Sequence, residues 1–364
     1  MTDSLPAITT LGEDALPSHV VETRKAYQQE VALPVRLVEA ATAFQREALA
    51  ERTRQIYADA WRLFIGFCGT MGRRSLPASP ETVAAWLTCL AEGSDGKKPR
   101  SAATVRLYLA AVAYMHKIQG VEFSTAHPRI KAAVAGINRT KARTDVPRRA
   151  TPILGEQLFR MLRSFDPARP ADARDGAMLA LGWSGAMRRS ELVCLDWECL
   201  GDGLGFVRVD ERGVEITLMT SKASQETATV IAIPFADMPA AAQWMKHWAA
   251  AAQLQPGAPV FVQLTRSGRI VRERLSGRTV SDVIKRRVGA FCRADGKSGA
   301  EAEEMVARYS GHSLRRGFCT TGSENGISLE VMAGHTRHAS LQTLKSYIDV
   351  ANKWKRSALK GIGF

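Results

Sequence analysis

With 364 residues, 45% hydrophobic and 24% charged, the chain is long enough for two ordinary domains, each with its own core. Fifty Lys and Arg against 36 Asp and Glu leave a formal charge of +14, which points to a polyanionic partner, nucleic acid first. A membrane is the poorer partner, because no basic amphipathic helix stands out and no apolar run approaches the roughly 18 residues that span a bilayer.

Residues 1–31 contain two prolines and no sustained periodicity, and read as a flexible arm. The stretch "MTDSLPAITTLGEDALPSHV" has neither the basic start nor the apolar stretch of a secretory signal, so a cytoplasmic location is expected, on the nucleoid when DNA is bound. The six cysteines, at 68, 89, 194, 199, 292 and 319, form no CxxC pair. They are expected to be reduced and mostly buried.

A helical domain is expected over 32–140. Tyr57, Trp61, Phe64 and Cys68 make one apolar stripe on a helix. The next helix opens at "SPETV", where Ser79 caps, Pro80 enters the first turn and Glu81 meets the positive end of the dipole. A third helix begins near Ser101, with Val105, Tyr108, Leu109, Val112, Met115 and His116 on its buried face. A fourth covers about 127–140.

The stretch "INRTKARTDVPRRATP", residues 137–152, is rich in Arg and Lys and broken by Pro147 and Pro152. It reads as an extended basic linker, assigned in the domain division to 141–151, that lies close to a phosphate backbone. Arg139, Lys141, Arg143, Arg148 and Arg149 are its candidate DNA-binding residues. The second domain then runs over 152–364. Helices are expected at about 155–165 and 172–186. "FVRV", "VEITLM" and "TATVIAI" alternate as strands of a small antiparallel sheet. Helices return at 240–254, 278–292, 300–309, 313–325, 328–334 and 340–348. The fold class expected is mainly α with one small antiparallel sheet: an all-α domain followed by an α+β domain.

Four stretches of the second domain carry chemistry. "AMRRSELVCL" sets Arg188 and Glu191 three apart, so that on one helical face the carboxylate can orient the guanidinium. Arg189 is the bystander. "TSKASQ" puts Lys222 at the tip of a turn. "GHSLRRGF" sets His312 and Arg315 three apart at a helix start, a spacing that selects Arg315 over Arg316. "TRHASLQTLKSYID" sets Tyr347 nine positions after His338. Two arginines, two histidines and a lysine repel one another unless an anion sits among them. A phosphodiester in its pentacoordinate transition state is such an anion, and arginine forks match its oxygens. Beside those cations a phenol of pKa near 10 becomes a nucleophile, and its phosphate ester stores the bond energy for rejoining. No metal or other cofactor is needed. His312, His335 and His338 could be read as metal ligands, but no carboxylate or cysteine stands at ligand spacing and the arginines would repel a cation. Tyr309 precedes the His312 helix and is expected to pack beneath it.

This order of residues, Arg-x-Ser-Glu-Leu, a turn lysine, His-x-Leu-Arg, a later His and then Tyr, resembles the tyrosine recombinase (phage integrase) family over about residues 35–364. The resemblance implies a helical, SAM-like core-binding domain and a catalytic domain closing as a C-shaped clamp on DNA. It implies that Tyr347 attacks the scissile phosphate, leaving a 3′-phosphotyrosyl link and a free 5′-hydroxyl. Arg188 and Arg315 would clamp the phosphate, and Lys222 would protonate the leaving oxygen. His312 would handle the tyrosine proton, His338 would bond the phosphate, and Glu191 would support the site from behind. "GH" at 334 and 335 lies twelve residues before Tyr347 where the family spacing resembles nine, so His338 takes the role and His335 is structural. The resemblance further implies four protomers on two duplexes carrying a specific site, with accessory bending or directionality factors as possible partners.

Two other readings use the same fold. A type IB topoisomerase shares the constellation but relaxes supercoils without a specific site, and a catalytically silent DNA-binding protein would lack an arginine or the tyrosine. An architectural DNA-binding protein needs only charge and leaves Tyr347 unexplained.

Overall fold

A computed structural model of the chain describes residues 36–37, 51–93, 96, 98–145, 149–219, 228–338, 341–342 and 344–345. The chain divides into two compact units, 1–147 and 148–364. The arm expected at 1–31 lies outside the described residues, as do Arg148, Lys222 and Tyr347.

The first unit contains α1 (Glu51–Thr70), α2 (Pro80–Glu92), α3 (Ala102–Ile118) and α4 (Pro128–Thr144). Local chemistry starts α2 and α3: Ser79 Oγ accepts the Thr82 amide at 3.2 Å with Pro80 in the first turn, and Ser101 Oγ accepts the Thr104 amide at 3.3 Å. Phe64 and Cys68 of α1 enter a core with Val83, Trp86, Leu87, Val105, Leu109, Val112 and Ile130, and Trp61 packs at its edge. His116 belongs to this core. Its Nε2 accepts the Ala78 amide at 3.0 Å, its Nδ1 donates to Val112 O at 2.8 Å, and burial lowers its pKa.

The helix expected over about 127–140 runs on to Thr144, into residues also expected to be extended basic linker. The reason is packing. Ile130, Val134 and Ile137 share one face of the helix, and all three join the core. Ala, Arg and Lys then propagate the helix at little cost until Asp145, just ahead of Val146 and Pro147. Arg139 and Arg143 are exposed on that last stretch and Lys141 is half-buried; Arg149 is exposed beyond it.

In the second unit, α5 (Gly155–Arg163) leads into α6 (Pro170–Ser184), α7 (Arg189–Val193), β1 (Leu195–Trp197), β2 (Gly205–Val209), β3 (Gly213–Leu218) and β4 (Thr229–Pro234). There follow α8 (Pro239–Ala252), β5 (Val262–Leu264), β6 (Ile270–Arg274), α9 (Gly277–Ala294), α10 (Gly299–Ala307), α11 (Ser313–Glu324) and α12 (Leu329–Thr336). Helix α6 is the axis of the unit and is buried on nearly every side. Its small residues allow this close approach: a Cβ on Gly176 would meet the Trp244 ring at 2.5 Å, and one on Gly182 would meet Leu314 at 2.8 Å. Its buried Asp175 is matched by three arginines, Arg174, Arg286 and Arg287, at 2.6–3.1 Å.

The expected sheet is present, with β2–β3 and β3–β4 antiparallel, and it gains β1 as a parallel partner of β2. The buried Asp196 carboxylate organises the loop between β1 and β2 by accepting the amides of Gly201 and Gly203 at 2.7 and 2.8 Å. A separate β5–β6 hairpin was not among the expected elements, although the apolar residues 260–262 and 270–271 flank a Gly268 turn. The helix expected over 340–348 lies outside the described residues except at 341, 342, 344 and 345. Leu344 is fully buried with Cys319 and Met332, tying the chain three residues ahead of Tyr347 to α11 and α12. All six cysteines are free; Cys68, Cys292 and Cys319 are buried. No helix of the described residues is long and apolar enough to cross a membrane.

Candidate active site

The site grows from the C-terminus of α6. A helix end leaves carbonyls without intrahelical donors and carries the negative end of the dipole. Here three consecutive carbonyls each receive a nitrogen donor from a distant segment. Ser184 O accepts from His335 Nε2 at 2.6 Å, Gly185 O from Arg337 Nη1 at 3.2 Å, and Ala186 O from Arg315 Nη1 at 2.6 Å. The turn that aims these carbonyls uses a left-handed residue, Ala186 at φ 45°. Gly185 fits against the sheet beneath, where a Cβ would stand 3.0 Å from Ile216 Cδ1.

Arg188 follows this turn, not on a helical face but as the residue capping α7. The expected pairing with Glu191 persists in that geometry, because Glu191 is in the third helical position and folds back. Its Oε2 accepts the Arg188 amide at 2.8 Å and its Oε1 the Arg188 guanidinium at 2.5 Å. Burial works to raise the Glu191 pKa, but Arg337, the Arg188 amide and the Arg188 guanidinium together hold it below the usual carboxylate value.

Arg315 lies on the first turn of α11 and is 2% exposed. Its Nη2 has no hydrogen-bond partner among the described residues. Burial, then the charges of Arg188 and Arg337, pull its pKa down to about 10, so it stays protonated at neutral pH while its charge remains largely uncompensated. Arg316 is buried as well, so burial does not separate the two; the approach to Ala186 and the coupling to Arg188 belong to Arg315. His312 is exposed where α11 begins.

His338 is half-buried, with Nδ1 2.6 Å from Thr336 Oγ1. Burial, then Arg315, Arg188 and Arg337, hold its pKa at about 4, so the ring is neutral at physiological pH. His335 instead turns away to Ser184 O and stacks on Phe318, with ring centroids 4.7 Å apart. Tyr309 is buried in the core and its hydroxyl is 3.4 Å from Gln157 Nε2. Arg189 is exposed and reaches Ser281 Oγ at 3.4 Å. Lys222 belongs to the β3–β4 connection, within residues 220–227 that are outside the described residues. The structure therefore brings together Arg188, Glu191, Arg315 and His338. To them it adds Arg337, a residue the sequence reading passed over. The available signal was an arginine just past α12, where a helix end usually carries Gly or Asn. No His, Cys, Asp and Glu cluster among the described residues could hold a metal ion.

The depressed His338 pKa has a measurable consequence. An unfolded imidazole titrates near 6.5, so between about pH 6.5 and 4 the unfolded chain binds a proton that the folded site refuses. Stability contributed by His338 is therefore present above pH 6.5 and is lost as the pH falls through this window. His338→Gln should flatten the fall in unfolding free energy between pH 6.5 and 4.5 by about 1–2 kcal/mol, discounted for the half-exposed ring. Urea titrations of both proteins across that range test it, and equal slopes would contradict it.

Among known proteins, the model of the family described as "Phage integrase family" matches residues 153–353. The integrase/recombinase xerD homolog of Selenomonas ruminantium is 33% identical over 318 residues, covering 85% of this chain and 85% of that protein. The tyrosine recombinase XerD of Neisseria meningitidis serogroup B is 26% identical over 269 residues, 69% of this chain and 80% of that protein. The solved Tn1549 transposon integrase, in complex with transposon right end DNA, superposes with a TM-score of 0.55 at 13% identity over 85% of this chain and 92% of that one, a likeness of fold.

Proposed function

Because the chain belongs to the phage integrase family and is a tyrosine recombinase, we propose that it cuts and rejoins double-stranded DNA at a specific site through a 3′-phosphotyrosyl intermediate on Tyr347. The observation that carries this reading is the buried Arg315 guanidinium, with one edge unpartnered among the described residues, beside Arg188 and a neutral His338. Two neighbouring guanidiniums, those of Arg188 and Arg337, share the Glu191 carboxylate, while Arg315 bonds only the neutral carbonyl of Ala186 among the described residues. Such an excess of buried positive charge is costly in an empty pocket and favourable around a phosphorane whose oxygens carry the charge.

In this mechanism Tyr347 Oη attacks phosphorus, its proton passes to His312, and the P–O5′ bond breaks as Lys222 donates a proton to the departing oxygen. Arg188 and Arg315 bind the non-bridging oxygens, and His338 donates a hydrogen bond to one of them. The reverse step, with a 5′-hydroxyl from another strand as nucleophile, rejoins the DNA without an external energy source. The helix end and linker carrying Arg139, Lys141, Arg143, Arg148 and Arg149 supply phosphate contacts that position the duplex. Strand exchange between two duplexes requires four such sites, so the working assembly is a tetramer on DNA, acting in the cytoplasm.

The general-acid step separates this chemistry from binding alone. Lys222→Ala should slow covalent adduct formation on target DNA by about 10²–10³-fold. On the same DNA with sulfur replacing the bridging 5′-oxygen, the rate should recover to near the unsubstituted enzyme's, because a thiolate departs without a proton. A variant equally slow on both substrates removes Lys222 from the leaving group.

A further inference from the structure

Arg337 follows α12 with φ 55° and ψ 47°, one of four non-glycine residues with positive φ among the described residues. Ala186, another of the four, faces it across the site. A left-handed backbone suits glycine, and a long side chain there costs about 1 kcal/mol. Paired strain of this kind is retained where a side chain has work at that point. The Arg337 side chain is 4% exposed and makes its contacts entirely within the site. Nη1 donates to Gly185 O at 3.2 Å and to His335 O at 3.1 Å. Nη2 donates to Glu191 Oε2 at 3.0 Å and lies 3.5 Å from Ala186 O, the acceptor of Arg315.

The consequence is a division of the Glu191 carboxylate. Oε1 is given to the Arg188 guanidinium, and Oε2 is shared by the Arg188 amide and Arg337. Without Arg337, a buried carboxylate oxygen would lose its charged partner close to Arg315, whose Nη2 lacks one. The carboxylate would relax towards that guanidinium and cancel the charge the phosphate requires.

We propose that Arg337 is a positioning residue for the phosphate-binding site: it holds Glu191 on Arg188 and thereby keeps the free edge of Arg315 open to the scissile phosphate. This rests on the recombinase reading above. Arg337 acts through Glu191 and the α6 carbonyls, and its left-handed backbone is what turns its side chain under the 184–186 turn.

The test uses the full-length protein, a duplex carrying the target site, and Arg337→Gly, which removes the side chain while suiting the left-handed backbone. The expected result is covalent adduct formation slowed by about tenfold or more, as for other residues that orient a reacting group from behind. DNA affinity should stay within about twofold, and the thermal midpoint should fall because Glu191 and the Gly185 and His335 carbonyls lose a buried donor, so rates are compared at a temperature where both proteins are folded. Adding Glu191→Gln to Arg337→Gly should give no further slowing, because the carboxylate that Arg337 restrains is then neutral. An unchanged rate in Arg337→Gly, additive losses in the double variant, or loss of cleavage only in step with binding and folding would each overturn the proposal. Wild-type protein that forms no Tyr347-dependent adduct would overturn the recombinase reading itself, an outcome distinct from wild-type adducts with an indifferent Arg337.

Discussion

Tyr347→Phe should abolish covalent attachment to DNA while leaving affinity within about twofold. The phenolic hydroxyl is the only group lost, and a phenyl ring of the same shape keeps whatever packing the side chain makes. Binding energy comes from many Lys and Arg contacts to phosphates, for which the +14 charge provides, and one hydroxyl adds little to it. Chemistry, by contrast, has no substitute nucleophile in place among the described residues. Tyr309 is buried in the core beside Gln157, and burial pushes the Cys319 thiol up to about 11. The residual adduct should therefore lie below about one part in 10³ of wild type. Gel retardation and denaturing-gel adduct assays on the same DNA check both halves. Residual adduct near the wild-type level would place the nucleophile elsewhere, and equal loss of binding would make Tyr347 a structural residue.

Arg315→Met should show stability and activity moving in opposite directions. The guanidinium is 2% exposed, makes one hydrogen bond among the described residues, to Ala186 O at 2.6 Å, and sits among the like charges of Arg188 and Arg337. Losing that hydrogen bond costs about 1 kcal/mol. Removing a buried, poorly compensated charge in favour of an apolar chain of similar length gains about 1–3 kcal/mol. The variant should thus unfold at the same or a higher temperature than wild type. Cleavage should fall by roughly 10³-fold, because a preorganised cation at the developing phosphorane charge is lost. Calorimetry with adduct kinetics measures the pair. A strongly destabilised variant would mean that Arg315 is a structural anchor, and near-normal cleavage would remove it from the phosphate.

Much of the second unit was legible in its sequence because the signals are local. The α8, α9 and α11 spans follow from stretches whose ends carry Pro239, Ser276 and the His312 turn. The Arg188–Glu191 pair was readable from spacing alone, although the same i, i+3 separation serves a helix cap as well as a helix face. What escaped depends on distant partners. The three residues of β1 pair with β2 through a loop held by Asp196, and nothing in "LDW" announces a strand. Residues 141–144 read as linker because their charge outweighs the apolar stripe from Ile130 to Ile137 that carries the helix into them. Arg337 was hidden between two histidines at the end of α12, and its importance appears only when Glu191 and the α6 carbonyls, some 150 positions earlier, fold against it.

In the proposed mechanism the cations of this site serve a phosphotyrosine at position 347. The most direct measurement is to recover the protein from its own host under denaturing conditions, digest the DNA with nuclease, and search Tyr347 by mass spectrometry for a nucleotide adduct. The expected result is a 3′-linked nucleotide on Tyr347 that is absent from the Tyr347→Phe protein, with one recurring sequence in the attached DNA. Protein that crosslinks to DNA by an independent reagent yet never carries a nucleotide on Tyr347 would contradict it, leaving a DNA-binding protein that keeps the family fold without its chemistry.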